Sequence, residues 1–221
     1  MDANSREITS AQDGVHADLP ALLARHLAHP FRKPILDYNR TAFAEAQAAW
    51  QAWRANAPLI LDAGCGVGWS TLRIAAQFPD HFVIGVDQSS DRIGRGKPED
   101  LPANAVLIRA DLVDFWRLLA EAKIRLARHY NLYPNPWPKI GHLARRWHGH
   151  AIFPVWRELG GVLECRSNWS IYIAEMAWAL SQLSGQDVAA EAYATSDPMT
   201  PFERKYLASG HRLWRCLVDF G

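Results

Sequence analysis

A chain of 221 residues, 49% hydrophobic and 21% charged, has globular proportions and suits one ordinary domain that needs no disulfide or metal to fold. Its three cysteines, Cys65, Cys165 and Cys216, are widely spaced without a CxxC, which argues against a secreted disulfide framework or zinc finger and fits a reducing, cytoplasmic compartment. No basic-then-apolar leader and no apolar run of ~18 residues occurs, so neither signal peptide nor membrane span is expected, and a net charge of +1 advertises no polyanion partner for the chain as a whole.

Residues 1–20 set Asp2, Glu7, Asp13 and Asp18 against Arg6, with few large apolar groups, the pattern of a loose tail. Leu19 to Leu27 predicts a short helix stopped by Pro30 and Pro34. Residues 1–40 therefore read as a tail with one short helix, and 41–221 as a single domain. From Thr41, Phe43, Ala46, Trp50 and Trp53 fall at helical spacing. Alternation follows. LILDA (59–63) predicts a buried strand. STLRIAAQF (70–78) predicts a helix with Leu72, Ala75 and Ala76 facing inward. FVIGVD (82–87) is a second strand, and Ser89 and Ser90 open a helix weakened by Gly94 and Gly96. A strand at 105–110, a helix at 112–123, a strand within 125–133, a helix at 150–159, a strand at 161–167 and a helix at 169–183 complete the series. Two further strands are expected near 188–194 and 212–220. This order predicts an α/β doubly wound fold: a seven-stranded, mostly parallel sheet with helices on both faces. Ligands of such sheets bind at the carboxyl ends of the strands, where the strand order reverses.

The first strand runs into Asp62-Ala63-Gly64-Cys65-Gly66-Val67-Gly68 and then Trp69-Ser70. The glycines let the backbone turn sharply and approach a ligand, and the helix behind them presents free N–H groups. A dinucleotide fingerprint needs a small residue where Trp69 stands, and no GxxxxGK[ST] occurs. The remaining pattern, D-x-G-x-G-x-G, resembles motif I of S-adenosylmethionine-dependent methyltransferases. Asp87, at the second strand's end, can accept from ribose hydroxyls. Asp111 follows the third strand, where this class places a carboxylate near the adenine amino group. Cys65 reads as packing.

The fourth strand leads into Tyr133-Pro134-Asn135-Pro136-Trp137-Pro138-Lys139, a rigid extended rim. Residues 121–158 carry Lys123, Arg125, Arg128, Lys139, Arg145, Arg146 and Arg157 against Glu121 and Glu158, with His129, His142, His148 and His150 added. Beside a cofactor pocket this run predicts phosphate contact. Here the resemblance sharpens. The chain resembles the tRNA (guanine-N7-)-methyltransferase family over roughly residues 58–221: Pro134 to Lys139, His142, Arg145 and Arg146 stand at that family's spacing, as do Ser167-Asn168-Trp169, Thr200-Pro201-Phe202-Glu203-Arg204 and Gly210.

The resemblance implies an enzyme that takes S-adenosylmethionine and methylates tRNA. It implies Asn135 and Glu203 as catalytic residues. It implies Asp62, Gly64, Gly66, Gly68, Asp87, Asp111 and Asn135 for the cofactor. It implies Lys139, His142, Arg145, Arg146, Asn168, Thr200, Phe202 and Glu203 for the substrate. No metal and no membrane is implied, and the expected state is a monomer or weak homodimer. Two positions depart from the family: its Asp between the prolines is Asn135, and its Asp after strand five is Asn168. Three readings stay open: guanine-N7 transfer with a rebuilt pocket, transfer to another acceptor such as an exocyclic amine or small molecule, or a non-catalytic RNA binder.

Overall fold

The computed structural model describes residues 5–95 and 101–221. Its seven strands are β1 (Leu59–Ala63), β2 (Phe82–Asp87), β3 (Ala105–Arg109), β4 (Arg128–Leu132), β5 (Val162–Ser167), β6 (Glu191–Tyr193) and β7 (Leu213–Asp219). They lie in the order β3-β2-β1-β4-β5-β7-β6. The first five are mutually parallel, and β7 runs antiparallel to both β5 and β6. The helices are α1 (Leu19–Ala28), α2 (Asp37–Trp53), α3 (Trp69–Gln77), α4 (Ser90–Arg95), α5 (Leu112–Glu121), α6 (Val155–Leu159), α7 (Ser170–Ser184) and α8 (Pro201–Ala208), with short 3-10 turns at Ile140–Arg145 and Trp147–Gly149. This is the doubly wound sheet that the strand–helix alternation predicts.

β1 and β2 are buried at every position, so they read as continuous apolar runs rather than alternating ones, as central parallel strands do. Their side chains still divide between two cores. Leu59, Leu61, Ile84 and Val86 join Phe43, Phe115, Trp116, Trp156 and the inner face of α7 on one side. Ile60 and Val83 join Ile74, Ala75, Tyr130 and Leu132 on the other, under α3. Several tryptophans are accounted for as packing: Trp116 sits edge-on to Trp147 and Trp156, and its indole N–H donates to Nε2 of buried His129.

Three details differ from the sequence reading. In α3, Ala76 is exposed, Leu72 is half-buried and Ile74 takes the inward place beside Ala75. Helix α2 begins at Asp37 rather than Thr41. The helix expected over 150–159 starts only at Val155, because Pro154 has no N–H to donate back into a preceding helical turn, while proline is tolerated at a helix start. The end of the helix after β2, Gly96 and Lys97, lies outside the described residues.

The N-terminal segment is not a loose tail over the described residues 5–18. Ser10 Oγ donates to the Pro138 carbonyl at 2.6 Å, Gln12 Nε2 donates to Glu175 at 2.5 Å, and the His16 backbone N–H donates to the same carboxylate. Short polar side chains anchor what apolar burial does not.

The basic run does not gather on one face either. β4 carries the chain from the amino ends of the parallel strands to their carboxyl ends. Arg125 donates to the Gly221 carbonyl and Arg128 lies over Phe78, both at the amino end of that strand. Lys139 and Arg145 are exposed beyond its carboxyl end, and Arg146 is buried.

Candidate functional site at the switch in strand order

The strand order reverses between β1 and β4, so the segments leaving their carboxyl ends flank a crevice. The β1 bank holds the glycine loop. Asp62, 1% exposed, accepts from Ser70 Oγ at 2.6 Å and Thr71 Oγ1 at 2.7 Å, both through Oδ2. Its Oδ1 is buried with no partner among the described residues. Burial, only partly offset by the two hydroxyls and reinforced by the Asp87 charge, pushes its pKa up to about 6. Gly85, paired with Asp62 across β1 and β2, makes this possible. A side chain there would collide with the Thr71 hydroxyl and come within 2.8 Å of Leu107.

Gly64, Gly66 and Gly68 all adopt positive φ, at 84°, 58° and 83°. A Cβ at Gly64 or Gly66 would meet open space, whereas one at Gly68 would lie 2.7 Å from Leu107. The first two glycines thus face a ligand volume and the third serves packing. Asp87 ties the turn to β2: its carboxylate accepts from the Gly66 N–H at 3.1 Å and the Ser89 N–H at 2.8 Å, with Arg92 at 3.4 Å. Asp111 caps α5 by accepting from the Val113 N–H, and its own N–H donates to buried Asn39. A cleft of about 220 Å³ opens beside it, lined by Phe31, Pro34, Val113 and His150 among others. The segment read as a tail therefore supplies part of this wall.

The β4 bank holds the acceptor loop. Tyr133 and Trp137 sit at φ of 52° and 47°, uncommon for residues with bulky side chains. Arg146 braces this shape from below. Its Nε and Nη2 donate to the Trp137 carbonyl, Nη2 also reaches Gln12 Oε1, and Nη1 pairs with Glu175 at 2.5 Å. Glu175 also accepts from His148 Nε2 at 2.8 Å, and all three side chains are fully buried. Burial opposes the Glu175 charge, but His148 and Arg146 more than offset it and hold the carboxyl down at about 2. Burial keeps His148 below its ordinary value. Arg146, expected on the RNA side, is therefore a structural cation with no free donor face.

Two other expected contacts are redirected. Glu203 is fully buried: its carboxylate accepts from Tyr133 Oη at 2.7 Å, Arg166 Nη1 at 3.0 Å and the Met199 N–H. Burial and the neighbouring Glu203 charge push the Tyr133 phenol well above its ordinary value, so it stays a donor. With its oxygens taken by three donors, Glu203 is a positioning residue rather than an open acceptor for a base. Thr200 is the N-cap of α8, accepting from the Glu203 N–H at 2.9 Å. Together these contacts stretch α8 across the crevice: Glu203 holds the start of the acceptor loop, and the Arg204 guanidinium lies 4.6 Å from the centre of the Trp69 ring beside the glycine loop.

Asn135 is exposed and its Oδ1 accepts from the Trp137 N–H at 3.3 Å. Lys139, Arg145 and Phe202 are exposed, and His142 is half-exposed edge-on to Trp137. Arg145 lies 4.8 Å from the centre of the Trp137 ring. His211 Nε2 bonds to the Ser5 carbonyl, which can only accept, so Nδ1 accepts from Asn168 Nδ2 at 3.2 Å. The Asn168 carbonyl oxygen then has no partner among the described residues. Asn39, Gly85, Arg166 and Glu175 were not singled out by the sequence. Apart from the Arg166–Glu164 pair, their neighbours are too distant in the chain for any local pattern to mark them.

Among the described residues no helix is long and apolar enough to cross a membrane, and no cluster of three or more His, Cys, Asp or Glu is placed to hold a metal.

Residues 56–216 match the family described as "Putative methyltransferase". The chain is 31% identical over 184 residues to a tRNA (guanine-N(7)-)-methyltransferase of Burkholderia mallei, covering 78% of this chain and 69% of that protein. It is 29% identical over 186 residues to one of Paraburkholderia xenovorans, covering 78% and 70%. The fold is similar to that of the antibiotic-resistance methyltransferase Kmr, with a TM-score of 0.53 at 20% identity over 80% of this chain and 92% of that one. It is equally similar to a 16S rRNA (adenine(1408)-N(1))-methyltransferase of Catenulisporales acidiphilia solved with SAM, with a TM-score of 0.53 at 20% identity over 85% and 93%.

Proposed function

Because the chain belongs to the tRNA (guanine-N(7)-)-methyltransferase family, we propose that it transfers the methyl group of S-adenosylmethionine to N7 of a guanine in tRNA, in the cytoplasm. The cofactor fits the β1 bank. Buried Asp62 Oδ1 lacks a donor, and open space lies in front of Gly64 and Gly66. Asp62 and the glycine loop would hold the cationic end, Asp87 the ribose, and Asp111 with its cleft the adenine. When bound, the cofactor supplies an electrophilic methyl carried on a sulfonium.

The observation that carries the choice of acceptor atom is that no carboxylate among the described residues stands open on the acceptor side. Positions 135 and 168 are amides, and the Glu203 oxygens are engaged by Tyr133, Arg166 and Met199. A nucleophile that must lose a proton before attack finds no open carboxylate among the described residues there to take it. Guanine N7 has a free lone pair and needs no base, so the residues' task is placement. The Asn168 carbonyl and the Asn135 amide can accept from the base edge, while the Trp137 ring offers a flat apolar wall. α8 links the two loops through Glu203 on Tyr133 and Arg204 on Trp69.

The test uses purified protein, methyl-labelled S-adenosylmethionine and unmodified tRNA, followed by nucleoside analysis of the digest. Labelled 7-methylguanosine is the expected product. Intact cofactor binding without label in RNA would overturn the reading. The two amides favour one second reading, a non-catalytic binder. Label that appears only after Asn135→Asp with Asn168→Asp would support it.

Two expected results follow from the same geometry. Asp62 must be ionised to receive a cationic ligand, and its raised pKa of about 6 places the change within reach. Cofactor affinity should fall about tenfold per pH unit below 6, and calorimetry in buffers of different ionisation enthalpy should show proton release on binding near that pH. For the protein alone the sign is opposite. The cost of the buried charge is absent below the ordinary carboxylate value and fully present above 6. A flat profile would place the cation elsewhere. Arg145→Ala should reduce the slope of log Kd for tRNA against log salt by about one unit, since this arginine, unlike Arg146, is free to reach a phosphate. An unchanged slope would make it only a partner of Trp137.

A further inference from the structure

Trp69 follows the glycine loop directly, at the first turn of α3, and keeps 39% of its surface exposed. Tryptophan is among the most buried side chains on average, and Trp116, Trp156 and Trp169 of this chain conform. Arg204 stands over the indole with its guanidinium 4.6 Å from the ring centre. Arg204 is itself exposed and makes no ion pair among the described residues. A second Trp–Arg stack, Trp137 with Arg145 at 4.8 Å, stands on the other bank of the crevice. The two tryptophans follow adjacent parallel strands, β1 and β4, while Arg204 comes from α8.

We propose that Trp69 and Arg204 form a stacking platform for an unpaired nucleobase of the RNA substrate neighbouring the target guanine. The base lies on the open face of the indole, and the guanidinium supplies positive charge for its phosphate. This rests on the RNA reading above. An aromatic ring backed by an arginine is the surface single-stranded bases recognise, because every base has a π-face and every linkage a charge. Bringing one base's N7 to the cofactor also requires its neighbours to be held apart from it. The bulk of Trp69 at the helix start argues against a pyrophosphate there. The Arg73–Asp197 pair, which ties α3 to the segment preceding α8, keeps the two halves of the platform in register.

The test compares Trp69→Ala, Trp69→Phe and Arg204→Ala with the full-length protein for binding of tRNA, of a single-stranded uridine oligomer and of S-adenosylmethionine, with melting temperature as control. Trp69→Ala should weaken both RNAs about tenfold and Trp69→Phe no more than about threefold, the range of one base stacked on an aromatic ring. Arg204→Ala should weaken RNA binding and lower its salt dependence. Cofactor affinity and melting temperature should hold. RNA binding unchanged in Trp69→Ala overturns the platform. Parallel loss of cofactor affinity would reassign Trp69 to the cofactor, and a fall in melting temperature with RNA affinity retained would make the pair a brace between helices. The uridine oligomer separates this inference from the acceptor assignment: Trp69-dependent binding without 7-methylguanosine would fail the acceptor alone, and 7-methylguanosine with Trp69-independent binding would fail the platform alone.

Discussion

Replacing Arg146 with methionine is expected to lower the melting temperature by roughly 6–20 °C, the consequence of about 3–5 kcal/mol lost when one partner of a buried ion pair is removed from a chain of this length. Arg146 is wholly buried and supplies Glu175, Gln12 and the Trp137 carbonyl with donors. Methionine fills much of the volume but leaves the Glu175 charge facing only His148 and the weaker amide and backbone donors. Pairing the change with Glu175→Gln removes that uncompensated charge, so the double variant should recover much of the stability. It should not recover the acceptor loop, whose Trp137 carbonyl stays unbraced. KM for tRNA should therefore remain raised in the double variant while cofactor affinity is unaffected. The acid limb reports the same network. With the Glu175 carboxyl held at about 2 against an ordinary 4.5, its stabilisation is fully present above 4.5 and disappears as pH falls to 2. A melting temperature unchanged in Arg146→Met would mean that His148 and the amide and backbone donors alone satisfy Glu175.

That reversal for Arg146 shows where sequence reading stops. The cofactor half of the site is contiguous: residues 62–68 are one turn, and Asp87 and Asp111 follow the ends of neighbouring strands, so strand–helix alternation alone places them together. The acceptor half is assembled from distant pieces. Arg146 next to Arg145 looks like one basic pair, yet one side chain faces solvent and the other is buried because Glu175 and Gln12, far along the chain in both directions, meet beneath the loop. Glu203 sits in a motif that implies base contact, but its three donors come from the loop after β4, from β5 and from the turn before α8. The basic run fails for a simpler reason. Charge counted along the chain is not charge on one surface when a central strand carries the count from the amino ends of the strands to the carboxyl ends. Asn39 and the 31–36 segment read as part of a tail because Pro30 and Pro34 interrupt any periodicity there, yet Ile35 joins the core and Leu36 and Asn39 bond to Asp114 and Asp111.

Asp87→Ala should weaken S-adenosylmethionine binding about 100-fold, the loss of about 3 kcal/mol expected when a carboxylate serving two ligand hydroxyls is removed. Two effects add. The carboxylate is the ribose acceptor in the proposed complex, and in the protein itself it accepts from the Gly66 and Ser89 N–H groups that fix the glycine turn and the start of α4. The variants Asp87→Ala and Asp87→Asn separate them. Asparagine keeps one acceptor for the turn but carries no charge, so affinity should fall about tenfold, near the single charged hydrogen bond lost. The ligand separates them as well. Adenosine should show the full effect of Asp87→Ala, whereas adenine, which has no ribose, should show only the part transmitted through the turn. The fold should survive, because β2 is held by its ladders to β1 and β3 and the emptied volume lies at the strand end. Equal losses for adenine and adenosine would mean that Asp87 acts only by shaping the glycine loop, and no loss for either would put the ribose beyond its reach.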